Sequence, residues 1–299
     1  MTRKPALAVV ALLLFTLSGG ALNWAVGQLI RRPGHGFAPC PADAEATAFV
    51  ATNTRGLKIC AWWWPGKADA GAVLLCHGHS VDHARMVDVM PFLRRTGVSL
   101  LALDFSAHGR SEGEFTSVGL LEADDIAAVL TQAEKLALLP ASMPLAAFGR
   151  SMGAATLING AAKLPRIGAF ILESSFAELR SIVGRDAVRV AGIPDGWPVD
   201  RIFDIATRYT GIQYWTNRPI DAIKGIGNRP LLLIHCGRDA RVTRDDFNRL
   251  VAAAGHPRTL EIASATHVRG YQSDPAVFER AFLETLVIGG IIATAAAGL

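Results

Sequence analysis

The sequence predicts an α/β domain built on a mainly parallel eight-stranded sheet, with helices on both faces, a small helical cap and an N-terminal transmembrane helix. Three observations support this prediction. Short apolar runs alternate with amphipathic runs from Glu45 onward, the segment 176–228 interrupts this alternation, and the first thirty residues carry almost no charge. Strands that alternate with helices pair in parallel, because each helix returns the chain to the same edge of the sheet.

The N-terminal segment has two basic residues, no charge from Pro5 to Ile30, and then two arginines. About 26 uncharged residues are enough to span a bilayer as a helix. A cleaved signal peptide is the alternative, with an apolar region from Ala6 to Leu17 and small residues at Ser18 and Gly20. The uncharged run continues past that point and favours an uncleaved membrane anchor over 1–32; a cleaved chain would be secreted or periplasmic.

The rest of the chain divides into a Pro/Gly-rich linker at 33–44, an α/β domain at 45–286 and an uncharged tail at 287–299. The tail is too short to predict a membrane-spanning helix, and we interpret it as an extension of the last helix or a second membrane contact. The formal net charge is +4, but the arginines are scattered without a basic tract. This distribution argues against nucleic-acid binding.

The elements of the domain follow one another in a regular order. Two strands around "NTRG" form a hairpin, and strands then alternate with helices up to the last strand. The predicted strands are "ATAFVATN", "LKICAWWW", "AVLLCHG", "VSLLALDF", "PLAAFGRS", "GAFILESS", "RPLLLIHCG" and "RTLEIAS". The predicted helices between them include "DHARMVDVMPFLRRTG", "GLLEADDIAAVLTQAEKLALL", "GAATLINGAAKL" and "TRDDFNRLVAAAG".

The insert at 176–228 is rich in aromatic residues and predicts a small cap over the sheet. The four cysteines include no CxxC pair, which argues against zinc ribbons and thioredoxin-like sites. Cys76 and Cys236 end apolar runs and should be buried. Cys40 and Cys60 could pair in an oxidising compartment or stay free, and the sequence leaves both alternatives open.

The stretch "GRSMG" from Gly149 to Gly153 is the motif that most strongly indicates a catalytic residue. It is G-x-S-x-G between a predicted strand and a predicted helix. A serine hydroxyl becomes a nucleophile when a base removes its proton, and a sharp strand-to-helix turn holds its oxygen clear of the backbone. Ser151 is therefore the candidate nucleophile.

A serine nucleophile needs an imidazole and a carboxylate from later strand ends. Asp239 follows the strand "LLLIHC", and His267 follows the next strand in a short polar loop. A parallel sheet would deliver both to the same edge as Ser151. Glu173, at the end of "AFILE", is the alternative acid.

The stretch "HGHSVDH" offers a competing site. It resembles the H-x-H-x-D-H motif of metallo-β-lactamases, and such residues are plausible zinc ligands. Asp82 and His83, however, each come one position later than that motif requires. A metal-dependent hydrolase using His77, His79, Asp82 and His83 is therefore the weaker hypothesis.

Five stretches together resemble the α/β-hydrolase family over Glu45 to Leu286: "LLCHGHS", "LDFSAHGRSEG", "GRSMG", "HCGRDARV" and "ATHVRGY". The chain looks most like the small-cap, often membrane-anchored branch that includes Bem46-like acyl hydrolases. The resemblance implies an α/β-hydrolase fold with an oxyanion hole formed by the backbone N–H groups of His79 and Met152. It also implies the catalytic triad Ser151, Asp239 and His267.

The sequence thus predicts a serine hydrolase that cleaves carboxylic ester or thioester bonds through an acyl-enzyme. It predicts a small acyl substrate, a bilayer contact through the N-terminal helix, no cofactor and no metal. The oligomeric state is left open. A catalytically silent, membrane-tethered binding protein with the same fold is the alternative from another class.

Overall fold

An eight-stranded mixed sheet forms the centre of the molecule, in the order β1-β2-β4-β3-β5-β6-β7-β8. The structure is a computed structural model that describes residues 19–31, 40–255 and 257–298. The strands are β1 (Thr47–Thr52), β2 (Lys58–Trp64), β3 (Ala72–Cys76), β4 (Ser99–Leu103), β5 (Leu145–Arg150), β6 (Ala169–Glu173), β7 (Leu231–Cys236) and β8 (Arg258–Ile262).

All eight predicted strands are present, but the sheet is mixed at its N-terminal edge. β2 pairs antiparallel with both β1 and β4, whereas the strands β3 to β8 pair with one another in parallel. The turn between β1 and β2 is too short for a crossover, so the two strands must run antiparallel. The Asn53 side chain closes this turn by accepting hydrogen bonds from the N–H groups of Arg55 and Leu57.

Helices cover both faces of the sheet, because β3 to β7 are apolar on both sides. Two buried clusters result, one on each face. The helices are α1 (19–30), α2 (Met90–Arg95), α3 (Ala123–Lys135), α4 (Met152–Gly160), α5 (Leu179–Ala191), α6 (Trp197–Thr210), α7 (Pro219–Ala222), α8 (Arg244–Ala254), α9 (Gly270–Ser273), α10 (Pro275–Ile288) and α11 (Thr294–Ala297).

The insert between β6 and β7 contains α5, α6 and short helical turns. Both long helices end at a left-handed glycine, Gly192 or Gly211. The insert is fastened to the body by Tyr214, whose buried hydroxyl donates to the backbone oxygen of Thr116. Trp197 is 73% exposed on the outer surface of the cap.

Helix α1 packs on the domain, although its sequence belongs to the predicted anchor. Val26, Leu29 and Ile30 are buried in the same cluster as α3 and α4, and the backbone oxygen of Ile30 accepts from the N–H of Thr116. Among the described residues, no helix is both long and apolar enough to cross a membrane. The predicted span up to residue 18 and most of the predicted linker lie outside the described residues.

The C-terminal tail also packs on the domain. Ile291 and Ile292 are buried beside α10, and the backbone oxygen of Ile291 accepts a hydrogen bond from the N–H of Gly71. The described part of the tail therefore follows the end of α10 as a packed segment that contains the short helix α11.

Candidate active site

Ser151 lies at the sharp turn between β5 and α4, with φ 52° and ψ −114°. A non-glycine residue in such a conformation is strained by about 1–3 kcal/mol. The two flanking glycines make the turn possible. A Cβ on Gly153 would lie 2.3 Å from the backbone oxygen of Cys76, and one on Gly149 would lie 2.6 Å from the backbone nitrogen of Ala154. The G-x-S-x-G spacing therefore lets α4 pack closely against the end of β3.

Ser151, His267 and Asp239 form one hydrogen-bonded chain. The Nε2 atom of His267 is 3.0 Å from Ser151 Oγ, and its Nδ1 atom is 2.7 Å from Asp239 Oδ2. The three residues follow β5, β8 and β7, respectively, at the carboxyl ends of parallel strands. Sheets of this kind bring their functional side chains together at this edge.

The environment of Asp239 keeps its carboxylate ionised. Burial alone would raise the pKa of Asp239, but the hydrogen bond and charge of His267, with the N–H groups of Val242 and Arg241, hold the pKa below its usual value. An ionised Asp239 favours the tautomer of His267 that carries its proton on Nδ1. The Nε2 lone pair then faces Ser151 and can accept its proton.

The backbone N–H groups predicted to hold an oxyanion belong to His79 and Met152, and both residues line the cavity above Ser151. Met152 is the first residue of α4, so its N–H has no acceptor within the helix and lies at the positive end of the helix dipole. The loop after β3 approaches the nucleophile closely, since a Cβ on Gly78 would be 3.6 Å from Ser151 Cβ.

The histidines of "HGHSVDH" bond to three different sets of partners. Both ring nitrogens of His77 bond to backbone groups. The ring of His79 faces α1, with Nε2 3.2 Å from the backbone oxygen of Leu29. His83 lies between two carboxylates, and Asp82 caps the following turn. The four residues of the metal-hydrolase hypothesis therefore do not converge on one point.

Glu173, the alternative acid, belongs to a different network. Its Oε2 atom accepts from Arg150 Nε and its Oε1 atom from the N–H of Gly270, both at 2.8 Å. Arg150 also donates to Asp88. Glu173 thus connects the residue before the nucleophile with the loop that follows His267.

A cavity of about 360 Å³ opens onto Ser151. The wall of this cavity is mainly apolar. It is formed by α1, by the loop that precedes α3 and by the helices of the cap. The lining includes Trp24, Leu29, Val118, Leu179, Ile182 and Val190.

The contribution of α1 to this wall was missed by the sequence analysis, which assigned the segment to a bilayer. One signal was available. Asn23 and Gln28 lie in the second half of the uncharged run, and uncharged polar residues there suit a helix on a protein better than a helix in lipid.

One side of the cavity carries charge. Asp186 accepts hydrogen bonds from Arg241 at 2.7 and 2.9 Å and from Arg189 at 2.8 Å. Burial alone would raise the pKa of Asp186, but the two guanidinium groups hold it below its usual value. Two cations around one carboxylate leave this side with a net positive charge.

Comparison with known proteins agrees with this architecture. A family model described as serine aminopeptidase, S33, matches residues 67–194. An esterase of Pyrococcus furiosus superposes with a TM-score of 0.68 and 25% identity, over 85% of this chain and 98% of that chain. An α/β hydrolase of a Penicillium species superposes with a TM-score of 0.65 and 17% identity, over 82% and 98%.

The chain therefore has the α/β-hydrolase fold. It is also 28% identical to an uncharacterised protein of Mycobacterium tuberculosis, over 97% of this chain and 99% of that protein. The match with the family model begins at residue 67, so α1 and the first hairpin lie outside it.

Proposed function

We propose that this α/β-hydrolase is a serine hydrolase that cleaves carboxylic ester or thioester bonds through an acyl-enzyme. The observation that carries the proposal is the hydrogen-bonded chain from Ser151 through His267 to Asp239 beside an apolar cavity. A neutral imidazole between a hydroxyl and a carboxylate is the arrangement that activates a serine.

In the first half of the reaction, Ser151 Oγ attacks the substrate carbonyl carbon while His267 Nε2 takes the hydroxyl proton. The carbonyl oxygen becomes an oxyanion, which the N–H groups of His79 and Met152 stabilise. The carbon–oxygen or carbon–sulfur bond to the leaving group then breaks, and His267 returns the proton to that group. An acyl ester of Ser151 remains.

In the second half, water replaces the leaving group. His267 takes a proton from the water, the resulting hydroxide attacks the acyl carbon, and the bond to Ser151 Oγ breaks. The proton on His267 passes to Ser151, which restores the free enzyme. Asp239 stays ionised throughout and stabilises the imidazolium form of His267.

The cavity favours an acyl ester or thioester over a peptide. An aminopeptidase has to bind the ammonium group of its substrate, and a free carboxylate serves this purpose. Asp186 is the carboxylate among the residues that line the cavity, and two arginines already neutralise it. The apolar wall suits an acyl chain, and the Pyrococcus furiosus relative is described as an esterase.

A fluorophosphonate probe tests the proposal on the purified full chain. We expect the wild type to be labelled and Ser151→Ala to be unlabelled, with p-nitrophenyl acetate hydrolysis reduced about 10⁴-fold or more. Ser142→Ala, which alters an exposed serine, serves as the matched control. EDTA should leave labelling unchanged.

The other hypotheses give different results. A metal-dependent hydrolase would show chelator-sensitive hydrolysis that survives Ser151→Ala. A silent binding protein would show neither labelling nor hydrolysis. Either result would exclude the proposed function.

A further inference from the structure

Three potential metal ligands converge beside the loop after β3, outside the catalytic site. They are Cys40, Asp43 and His83, and their sulfur, oxygen and nitrogen atoms lie within 4.8 Å of one another. No other group of this kind is found among the described residues. Thiolate, imidazole and carboxylate are the ligands that zinc takes most often in proteins.

The orientation of His83 is already the one that a metal ligand needs. Its Nδ1 atom is 2.8 Å from Asp104 Oδ1, which also accepts from the His83 N–H. The imidazole stacks on Trp62 at a centroid distance of 3.7 Å. A carboxylate on Nδ1 fixes the tautomer and directs the Nε2 lone pair toward a metal, as in most histidine–metal sites. In this structure Nε2–H donates to Asp43 Oδ1 at 2.9 Å, and zinc binding would displace that proton.

The carboxylate of Asp43 has unused bonding capacity. Its Oδ2 atom is buried and makes no hydrogen bond. The Nη1 atom of Arg110 is 3.6 Å from Oδ2 without a hydrogen bond to it, and the guanidinium lies over Trp62. A buried carboxylate oxygen without a donor is costly unless something else binds it.

We propose that Cys40, Asp43 and His83 bind one Zn²⁺ ion, with water as the fourth ligand. Tetrahedral zinc keeps its ligand atoms about 3.3–3.6 Å apart, so the Asp43–His83 pair has to widen by about half an ångström, and the pairs with Cys40, which lie within 4.8 Å, have to close by up to about 1.5 Å. Asp43 lies in a short 3-10 helix, Pro41–Glu45, at the start of the domain. Small shifts there disturb no strand.

The zinc ion has a structural role in this proposal. It connects the N-terminal segment Cys40–Glu45 to the loop that begins with His77 and ends at His83. That loop carries His79, which lines the cavity. The segment is otherwise attached by Trp64, which donates to the backbone oxygen of Ala42 at 2.8 Å, and by the exposed Arg94–Glu45 ion pair.

Metal binding by the purified full chain tests the proposal directly. After treatment with EDTA and dialysis, the chain is titrated with ZnCl₂ against a chromophoric chelator. We expect one Zn²⁺ per chain and a thermal midpoint raised by about 5 °C or more at saturation. With Co²⁺ in place of zinc, a thiolate-to-cobalt absorption band should appear in the near ultraviolet.

Cys40→Ser should abolish the cobalt band and weaken zinc binding at least 100-fold, and Asp43→Asn should weaken it similarly. Cys60→Ser is the matched control, because Cys60 is also free but lies outside the three-ligand group. Fluorophosphonate labelling should be equal with and without zinc, so this test is independent of the proposed activity. Absence of stoichiometric binding, or equal binding by Cys40→Ser, would overturn the proposal.

Discussion

Arg150 and Glu173 illustrate how single residues can hold a candidate site in place. Arg150 is buried immediately before Ser151 and bonds to Glu173 and Asp88. Glu173 in turn accepts from the backbone of Gly270, three residues after His267. The strained turn and the histidine loop therefore share one buried ionic network. Such a network stabilises geometry when each of its charges is paired.

For single residues, the sequence predicted the three members of the candidate triad but did not predict the bonding of Glu173. Ser151, Asp239 and His267 could be proposed together because each follows an apolar strand, and parallel topology brings strand ends to one edge. The bonding of Glu173 could not be read from sequence, since it depends on which side chain reaches it in the fold. The catalytic roles themselves stay a prediction.

His77 makes the stability of the fold sensitive to acid. Burial, aided by the neighbouring His108, lowers the pKa of His77 to about 3, whereas an unfolded histidine titrates near 6.5. Below about pH 6.5 the unfolded chain binds a proton that the folded chain does not, so the free energy of unfolding falls as pH falls. Each such histidine contributes a slope of about 1.4 kcal/mol per pH unit until the folded pKa is reached.

Denaturant unfolding at several pH values between 6.5 and 4 measures this slope. His77→Gln should be less stable at pH 7, because Gln cannot reproduce both hydrogen bonds, but its slope should be smaller than that of the wild type. Equal slopes would show that His77 does not titrate as its burial requires.

At the scale of elements, α1 forms part of the wall of the cavity above Ser151. Trp24 and Leu29 line the cavity, and the backbone oxygen of Leu29 contacts the His79 ring. The helix is thus a wall of the acyl pocket in the proposed function. Its hydropathy alone could not reveal this, since an apolar face fits a bilayer and a protein surface equally well.

Substitution of Trp24 tests that role. We expect Trp24→Ala to raise the KM for p-nitrophenyl octanoate about 2- to 10-fold, because part of an apolar contact is lost. Hydrolysis of p-nitrophenyl acetate should change little, since its acyl group is too short to reach α1.

Leu136→Ala is the matched control for this comparison. Leu136 is 46% exposed, close to the 49% of Trp24, but it follows α3 and does not line the cavity. Equal effects of Trp24→Ala on the two esters would contradict the assigned role of α1.

The strands and helices of the domain were predictable because each has a strong local pattern. The run "AVLLC" is fully buried, as its unbroken hydrophobicity predicts. The mixed edge follows from the tight turn at Asn53, which permits only a hairpin. The helices of the cap were harder to predict. In α5, Val188 and Val190 are exposed, so its hydrophobic residues follow a less regular helical pattern.

At the scale of the whole molecule, docking of α1 constrains the predicted membrane anchor. If α1 remains on the domain, the uncharged run that is left is Pro5 to Ser18, fourteen residues that would rise about 21 Å as a helix. The hydrocarbon core is about 30 Å thick. An uncleaved anchor that leaves α1 on the domain would therefore have to span a locally thinned bilayer.

Fractionation of cells that express the full chain tests the anchor. We expect the chain to stay in the membrane pellet after an alkaline carbonate wash and to keep its N-terminus. Leu12→Arg combined with Leu14→Arg should release it, because each arginine costs about 2.5–3.5 kcal/mol at the centre of a span. A soluble mature chain that starts near Ser18 to Gly20 would instead identify a cleaved signal.

The position of α1 also has a consequence for inhibitors. Electrophiles that react with an activated serine would bind at Ser151, in the part of the chain that matches the family model. Trp24 and Leu29 lie outside that part but line the same cavity as Ser151. Under the proposed function, a carbamate whose apolar tail reaches these two side chains would distinguish this protein from proteins of the same fold that have other side chains at these positions.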